Sequence, residues 1–306
     1  MRQRSIVILD VPCNLGLRPP KPGVEPGCSR LASALRSRGL LERLRASDAG
    51  SIEVPAYCAE PDPGTMFRNG PGLAAVSERL ADRLQQLVRQ KRFVLALGGD
   101  CSVLLGHMLG LRGLGRYGLV FIDAHDDFSP IRDLDDYRGF FAAAGMDLGV
   151  VTGHVPGGLS NLRDSKPYVR EEDVALFGIS REPEDATYFD TELLDRTKMR
   201  WLSVEEVRGA GPEAAARQAL GWLSEQPLDG IWIHLDVDVL DQTVMPAVDS
   251  PNPNGLQLDQ LRDALRVFLA DPRVVGMEVT IYDPDLDPDG KYGDALTDML
   301  AGAFGR

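Results

Sequence analysis

The sequence predicts an α/β fold, a mostly parallel sheet with helices on both faces. Three observations lead there. Short β-branched or apolar runs alternate with helical patterns along the whole chain. Several of these runs are apolar on both faces, as buried parallel strands are. Three of them are followed at once by acidic or glycine-rich segments, and open α/β sheets hold their ligands beyond the carboxyl ends of their strands.

The elements follow in chain order. A first strand is expected over Ile6–Val11, and the Pro/Gly-rich stretch Asn14–Gly27 reads as a long loop. Leu73, Val76, Leu80, Leu84 and Leu87 share one face of a helix. A strand over Phe93–Leu97 precedes a helix that carries His107, and the next strand is Gly118–Ile122. From Ser129 to about Asp173 the chain is irregular, with only a short helical pattern around Tyr137–Gly145; loops of this length inside a domain are usually functional. A strand over Val174–Ile179 comes next. Gly211-Pro212 then opens a helix over Glu213–Leu223. Strands over Gly230–Leu235 and Val274–Val279 flank a last helix marked by Leu258, Leu261, Leu265, Phe268 and Leu269. Residues 1–306 read as a single domain without internal repeats.

Composition narrows the function. The 306 residues carry a net charge of −13, which disfavours nucleic acid or an anionic membrane as partner and favours cations. Four scattered cysteines, at positions 13, 28, 58 and 101, make no disulfide framework. No apolar run approaches the roughly 18 residues of a membrane span. The segment Met1–Pro12 has a short apolar stretch broken by Asp10 and no small-residue cleavage site, so a cytoplasmic protein is expected.

The chemistry lies at three strand ends: Gly98-Gly99-Asp100-Cys101-Ser102, Asp123-Ala124-His125-Asp126-Asp127 and Asp236-Val237-Asp238. If the backbone stays extended, period-two alternation sends Asp123, His125 and Asp127 to one side, and Asp236 and Asp238 likewise. Four converging carboxylates are costly unless cations neutralise them. A carboxylate-rich set with an imidazole suits Mn²⁺ and related divalent ions, and two bridged ions would activate a water for hydrolysis.

In the order and spacing of these motifs the chain resembles the ureohydrolase (arginase/agmatinase/formiminoglutamase) family over nearly its whole length, including Gly23-Val24-Glu25. The resemblance implies a three-layer α/β/α sandwich with an eight-stranded parallel sheet and two Mn²⁺ ions. It implies attack by a metal-bridging hydroxide on a guanidinium or similar carbon. Asp123 and Asp236 would bridge the ions, Asp127 would complete one, and His125 with Asp238 the other. Asp127 would also accept a hydrogen bond from the hydroxide and pass its proton on. Glu278, in Met277-Glu278-Val279, would hold the guanidinium, and Ser250 would lie near the substrate. A homo-oligomer, trimer or hexamer, is implied as well.

Four positions depart from the family pattern. Cys101 stands where the family has a histidine ligand. A thiolate there leaves the donors one negative charge in excess of two divalent ions and shifts preference toward Zn²⁺, Fe²⁺ or Co²⁺. Family members that cleave Nω-hydroxy-arginine to hydroxyurea also carry cysteine here, so such a substrate is one expectation. Ala144 replaces the proton-shuttle histidine, for which His154 is the candidate substitute; Ser129 replaces a substrate-reading asparagine. Ser180-Arg181-Glu182-Pro183-Glu184-Asp185 replaces the acidic segment that reads the α-amino group. His107 reads as structural or exposed. His234 reads as a hydrogen-bonded neighbour of the ligands, or a core residue, rather than a ligand. The main reading is thus a metal-dependent hydrolase of a small cationic guanidino or amidine compound. Its rivals are a single-metal deacetylase-like amidohydrolase, a metal-free enzyme with Cys101 as nucleophile, and a catalytically weakened binding or assembly protein on the same fold.

Overall fold

Eight parallel strands form one sheet in the computed structural model, which describes residues 5–58, 60, 62, 65, 67–128, 142–180 and 191–306. In chain order they are β1 (Ile6–Asp10), β2 (Ser47–Ser51), β3 (Phe93–Leu97), β4 (Tyr117–Ile122), β5 (Val174–Ile179), β6 (Arg200–Ser203), β7 (Gly230–Asp236) and β8 (Val274–Thr280). Their spatial order is β2-β1-β3-β8-β7-β4-β5-β6. The six strands expected from the sequence are all present, with ends within a residue of expectation. The two edge strands escape the apolar rule for a physical reason. β2 is the polar run SDAGS, exposed at every residue but Ala49, and β6 is only RWLS. Edge strands need no second buried face, so neither carries an apolar signature.

Alternation along the strands feeds two apolar layers. Ile231, Ile233 and Leu235 of β7 meet the helices Pro212–Leu223 and Leu258–Ala270 through residues such as Ala219 and Leu265. Trp232, Phe121 of β4 and Ala96 of β3 meet the opposite layer, which holds Leu80 and Leu84 of Gly70–Arg89 and Leu104 of Val103–Arg112. Gly276 of β8 leaves room for the Trp232 ring; a Cβ there would collide with it. Of the helical pattern expected around Tyr137–Gly145, the described part ends in a 3-10 turn over Ala144–Met146. Residues 137–141 lie outside the described residues, and a short helix spans Asp147–Val151. No helix among the described residues is long and apolar enough to cross a membrane.

The order of the strands makes the site. The chain builds β1 to β3 on one side, crosses to β4, β5 and β6, and then returns to insert β7 and β8 between β3 and β4. Four adjacent central strands therefore end side by side at the point where the winding reverses, the usual crevice of an open α/β sheet.

Candidate metal centre

The three motifs sit at the carboxyl ends of β3, β4 and β7, and one local device shapes all of them. Asp100 Oδ1 accepts the Ser102 N–H at 2.8 Å, Asp123 Oδ1 accepts the His125 N–H at 2.7 Å, and Asp236 Oδ1 accepts the Asp238 N–H at 2.8 Å. Each aspartate thus closes a turn with the residue two places on. The expected extended backbone is accordingly corrected. β4 stops at Ile122, Val237–Val239 is a 3-10 turn, and Asp127 sits at a positive φ of 39°. The turns bring Asp123 and His125 to Asp238 all the same. His125 Nδ1 lies 3.0 Å from Asp238 Oδ2 and 3.5 Å from Asp123 Oδ1.

Two overlapping donor groups result. One is Cys101, Asp123, His234 and Asp236, all buried; the other is Asp123, His125 and Asp238. Within each, one ligand atom per residue lies within 4.8 Å of every other, and Asp123 belongs to both. Of the sequence-derived metal set, Cys101, Asp123, His125, Asp236 and Asp238 are brought together, while Asp127 stands outside both groups. Cys101 Sγ donates to Asp236 Oδ2 at 2.7 Å and lies 3.3 Å from Thr280 Oγ1. Gly99 keeps this loop against the backbone of Cys13, where a Cβ would overlap the Cys13 carbonyl.

The electrostatics calls for cations. Burial, and then the Asp238 charge, push the Asp123 carboxyl up to about 7. Burial followed by neighbouring carboxylates also raises Asp236 and Asp127 well above the usual range. His125 is penalised by burial, yet Asp238 and Asp123 outweigh that and hold its imidazole well above its ordinary value. Burial and the Asp236 charge push the Cys101 thiol up, which opposes a metal-free thiolate nucleophile. Asp123 Oδ2 and His234 Nε2 are buried without a hydrogen-bond partner. Divalent ions answer every one of these features, so the donor set fits them.

Beneath the donors lies a polar layer that the sequence did not reveal. Glu278 of β8 is fully buried next to His234 in the sheet register. Its Oε1 is 2.6 Å from His234 Nδ1, and its Oε2 contacts His107 Nδ1. Burial alone would raise its pKa, but the two histidines outweigh burial and hold it at about 2. Glu278 thus faces two buried histidines, with Oε1 paired to His234 and Oε2 left without a hydrogen-bond partner. His107 is neither exposed nor idle: it is buried and stacked on Trp232 with ring centroids 4.6 Å apart. Asp147, unremarked in the sequence as one acid at a helix start, is fully buried, with Oδ2 unpartnered and 4.0 Å from His234 Nε2. The register of β7 with β8, which no local pattern encodes, brings Glu278 beside His234.

The substrate-side expectations scatter. Ser250 is exposed on the loop after β7. His154 Nε2 pairs with Glu171 Oε1 at 2.6 Å, and its ring meets Phe128 edge-on. Ser129 and Arg181-Glu182-Pro183-Glu184-Asp185 lie outside the described residues.

The model of the arginase family matches residues 4–304. An arginase of Bacillus caldovelox is 26% identical over 310 residues, covering 99% of each chain. The solved structure of the Bacillus caldovelox arginase superposes with a TM-score of 0.84 at 25% identity over 99% of both chains. A formimidoylglutamase of Bacillus subtilis shares the fold, with a TM-score of 0.73 at 18% identity over 99% of this chain and 86% of that one.

Proposed function

This chain belongs to the arginase family, whose members are binuclear metal ureohydrolases, and on that premise we propose that it hydrolyses a C–N bond of a small guanidino or related amidine compound. Two divalent cations, Mn²⁺ foremost, would be held by Cys101, Asp123, His125, Asp127, Asp236 and Asp238. Bound there, they polarise the substrate and make water nucleophilic near neutral pH. The observation that carries the reading is the pair of donor groups sharing Asp123 at the switch point of the sheet.

The chain's own residues supply the rest. The turns at Asp123 and Asp236 fix these carboxylates before any ligand arrives, so little ordering is left for binding. Asp127, half-buried beside the donors, would accept a hydrogen bond from the attacking hydroxide and pass its proton on. By the family resemblance, Ser129 and Ser250 would contact the substrate. With Glu278 committed to histidines, the acidic cluster itself attracts the cationic group. Cys101 at a ligand position favours an N-hydroxylated guanidine, of the Nω-hydroxy-arginine type, over plain arginine. We place the protein in the cytoplasm as a homo-oligomer, a trimer or a hexamer.

The test is turnover of a guanidine panel by chelator-treated and Mn²⁺-reloaded protein, read as urea and hydroxyurea. Activity should vanish with chelator and return with Mn²⁺. Full activity in chelator, or no product from any guanidine after reloading, would refute the reading.

A further inference from the structure

Resting on the metal-centre reading, we propose that His234 is itself a metal ligand, which closes a four-donor site of Cys101, Asp123, His234 and Asp236 that selects Zn²⁺, Co²⁺ or Fe²⁺ over Mn²⁺. Glu278 and His107 are the residues that position it.

The imidazole of His234 has the arrangement of a ligating histidine. Its Nδ1 faces Glu278 Oε1 at 2.6 Å, which places the proton on Nδ1 and the lone pair on Nε2. Nε2 is fully buried, has no hydrogen-bond partner, and lies 3.9 Å from Asp123 Oδ2. Leaving such a nitrogen unpaired is costly, and a cation between it and the carboxylates removes the cost. The ring cannot turn away. It stacks on Phe121 with centroids 4.7 Å apart, and β7 pairs with β4 and β8 on either side. Glu278 is anchored in turn by His107, which stacks on Trp232. The whole chain from Trp232 to His234 is buried, so no solvent competes with it.

The four donors also agree in size and softness. Zinc–sulfur bonds of about 2.3 Å and zinc–nitrogen or zinc–oxygen bonds of about 2.0–2.2 Å put tetrahedral donors roughly 3.3–3.7 Å apart. The four ligand atoms already lie within 4.8 Å of one another, so small side-chain shifts complete the site. One thiolate and one imidazole among four donors favour the borderline metals over manganese. The second group, Asp123, His125 and Asp238, has no sulfur and keeps the harder preference. The two positions thus differ in metal chemistry, and Glu278 serves a ligand where the family resemblance implied that it serves the substrate.

The experiment titrates metal-free full-length protein with Co²⁺ and Zn²⁺ under anaerobic conditions. Thiolate-to-cobalt absorption, metal content by mass spectrometry and zinc-edge X-ray absorption at one equivalent are the readouts. Sulfur and imidazole should appear in the same zinc shell, since His125 does not share a group with Cys101. His234→Gln should weaken the sulfur-containing site at least 100-fold and leave the other ion bound. Glu278→Gln, which keeps the shape and removes the charge, should weaken it by about 10–100-fold. The variants' circular dichroism must match the parent's; if His234→Gln does not fold, Glu278→Gln and the wild-type absorption spectrum decide. Sulfur without imidazole in the first zinc shell, or both variants binding cobalt like the parent, would overturn the proposal and leave the metal centre standing. A parent protein that binds no divalent ion at all would overturn both.

Discussion

Stripping the metals and then raising the pH should weaken the fold, which inverts the usual behaviour of a protein rich in carboxylates. Burial and the Asp238 charge lift Asp123 from 3.8 to about 7. The folded chain therefore keeps a proton there that the unfolded chain has shed. That preference stabilises the fold fully below about pH 4 and is lost as pH rises through about 7. The Asp123 shift is worth on the order of 4 kcal/mol. Asp236 and Asp127 are raised too and act in the same direction. His125, raised by Asp238 and Asp123 against the burial penalty, adds to the loss above about pH 6.5. Glu278, held at about 2, works oppositely, but its contribution is complete once pH exceeds its ordinary 4.5. The three carboxyls titrate as one interacting set, and each raised member acts in the same direction. With a urea dependence on the order of 3 kcal/mol per molar, the Asp123 proton alone should lower the unfolding midpoint of metal-free protein by roughly 0.5 M per pH unit. Metal-loaded protein should show the reverse trend, since binding releases these protons. Asp123→Asn should flatten the metal-free slope by up to one group's share. Urea melts of the stripped protein at pH 5, 6 and 7 provide the check. A midpoint that stays constant or rises across that window would refute the account of the site as an uncompensated acidic cage.

Asp236→Ala should lose metal and turnover together, by about 100-fold or more, as read by metal analysis and the guanidine assay; a variant that keeps both would contradict its place among the donors. Gly276→Ala should cost about 1–3 kcal/mol, because the new methyl meets the Trp232 ring on which His107 stacks, and a thermal melt measures it. Ser203→Ala should cost about 1 kcal/mol by removing the cap that accepts the Glu206 N–H at 3.2 Å, and urea unfolding would register the loss.

Amino-acid order alone determined the α/β class, the six central and near-central strands, and the acidic strand ends. Each rests on a local signal: apolar runs such as Phe93–Leu97, helical periodicity such as Leu73 to Leu87, and aspartates placed directly after strands. The resemblance carried by those motifs also named the family that the whole chain proves to match. The edge strands β2 and β6 stayed hidden because an edge needs no apolar signature. Alternation paired the right residues, Asp123 with His125 and Asp236 with Asp238, for the wrong reason, since side-chain turns and not an extended backbone set their spacing.

Tertiary structure decided what pairs across strands. His234 and Glu278 are 44 residues apart and meet only because β8 inserts beside β7, in a register that puts the two side by side. His107 reaches the same carboxylate from a helix, and Asp147 lies near His234 from the start of the short helix Asp147–Val151. Periodicity reports which face of an element is buried, but a buried polar residue is defined by the partner it finds there. That partner is chosen by strand order and register, long-range quantities that no local pattern encodes.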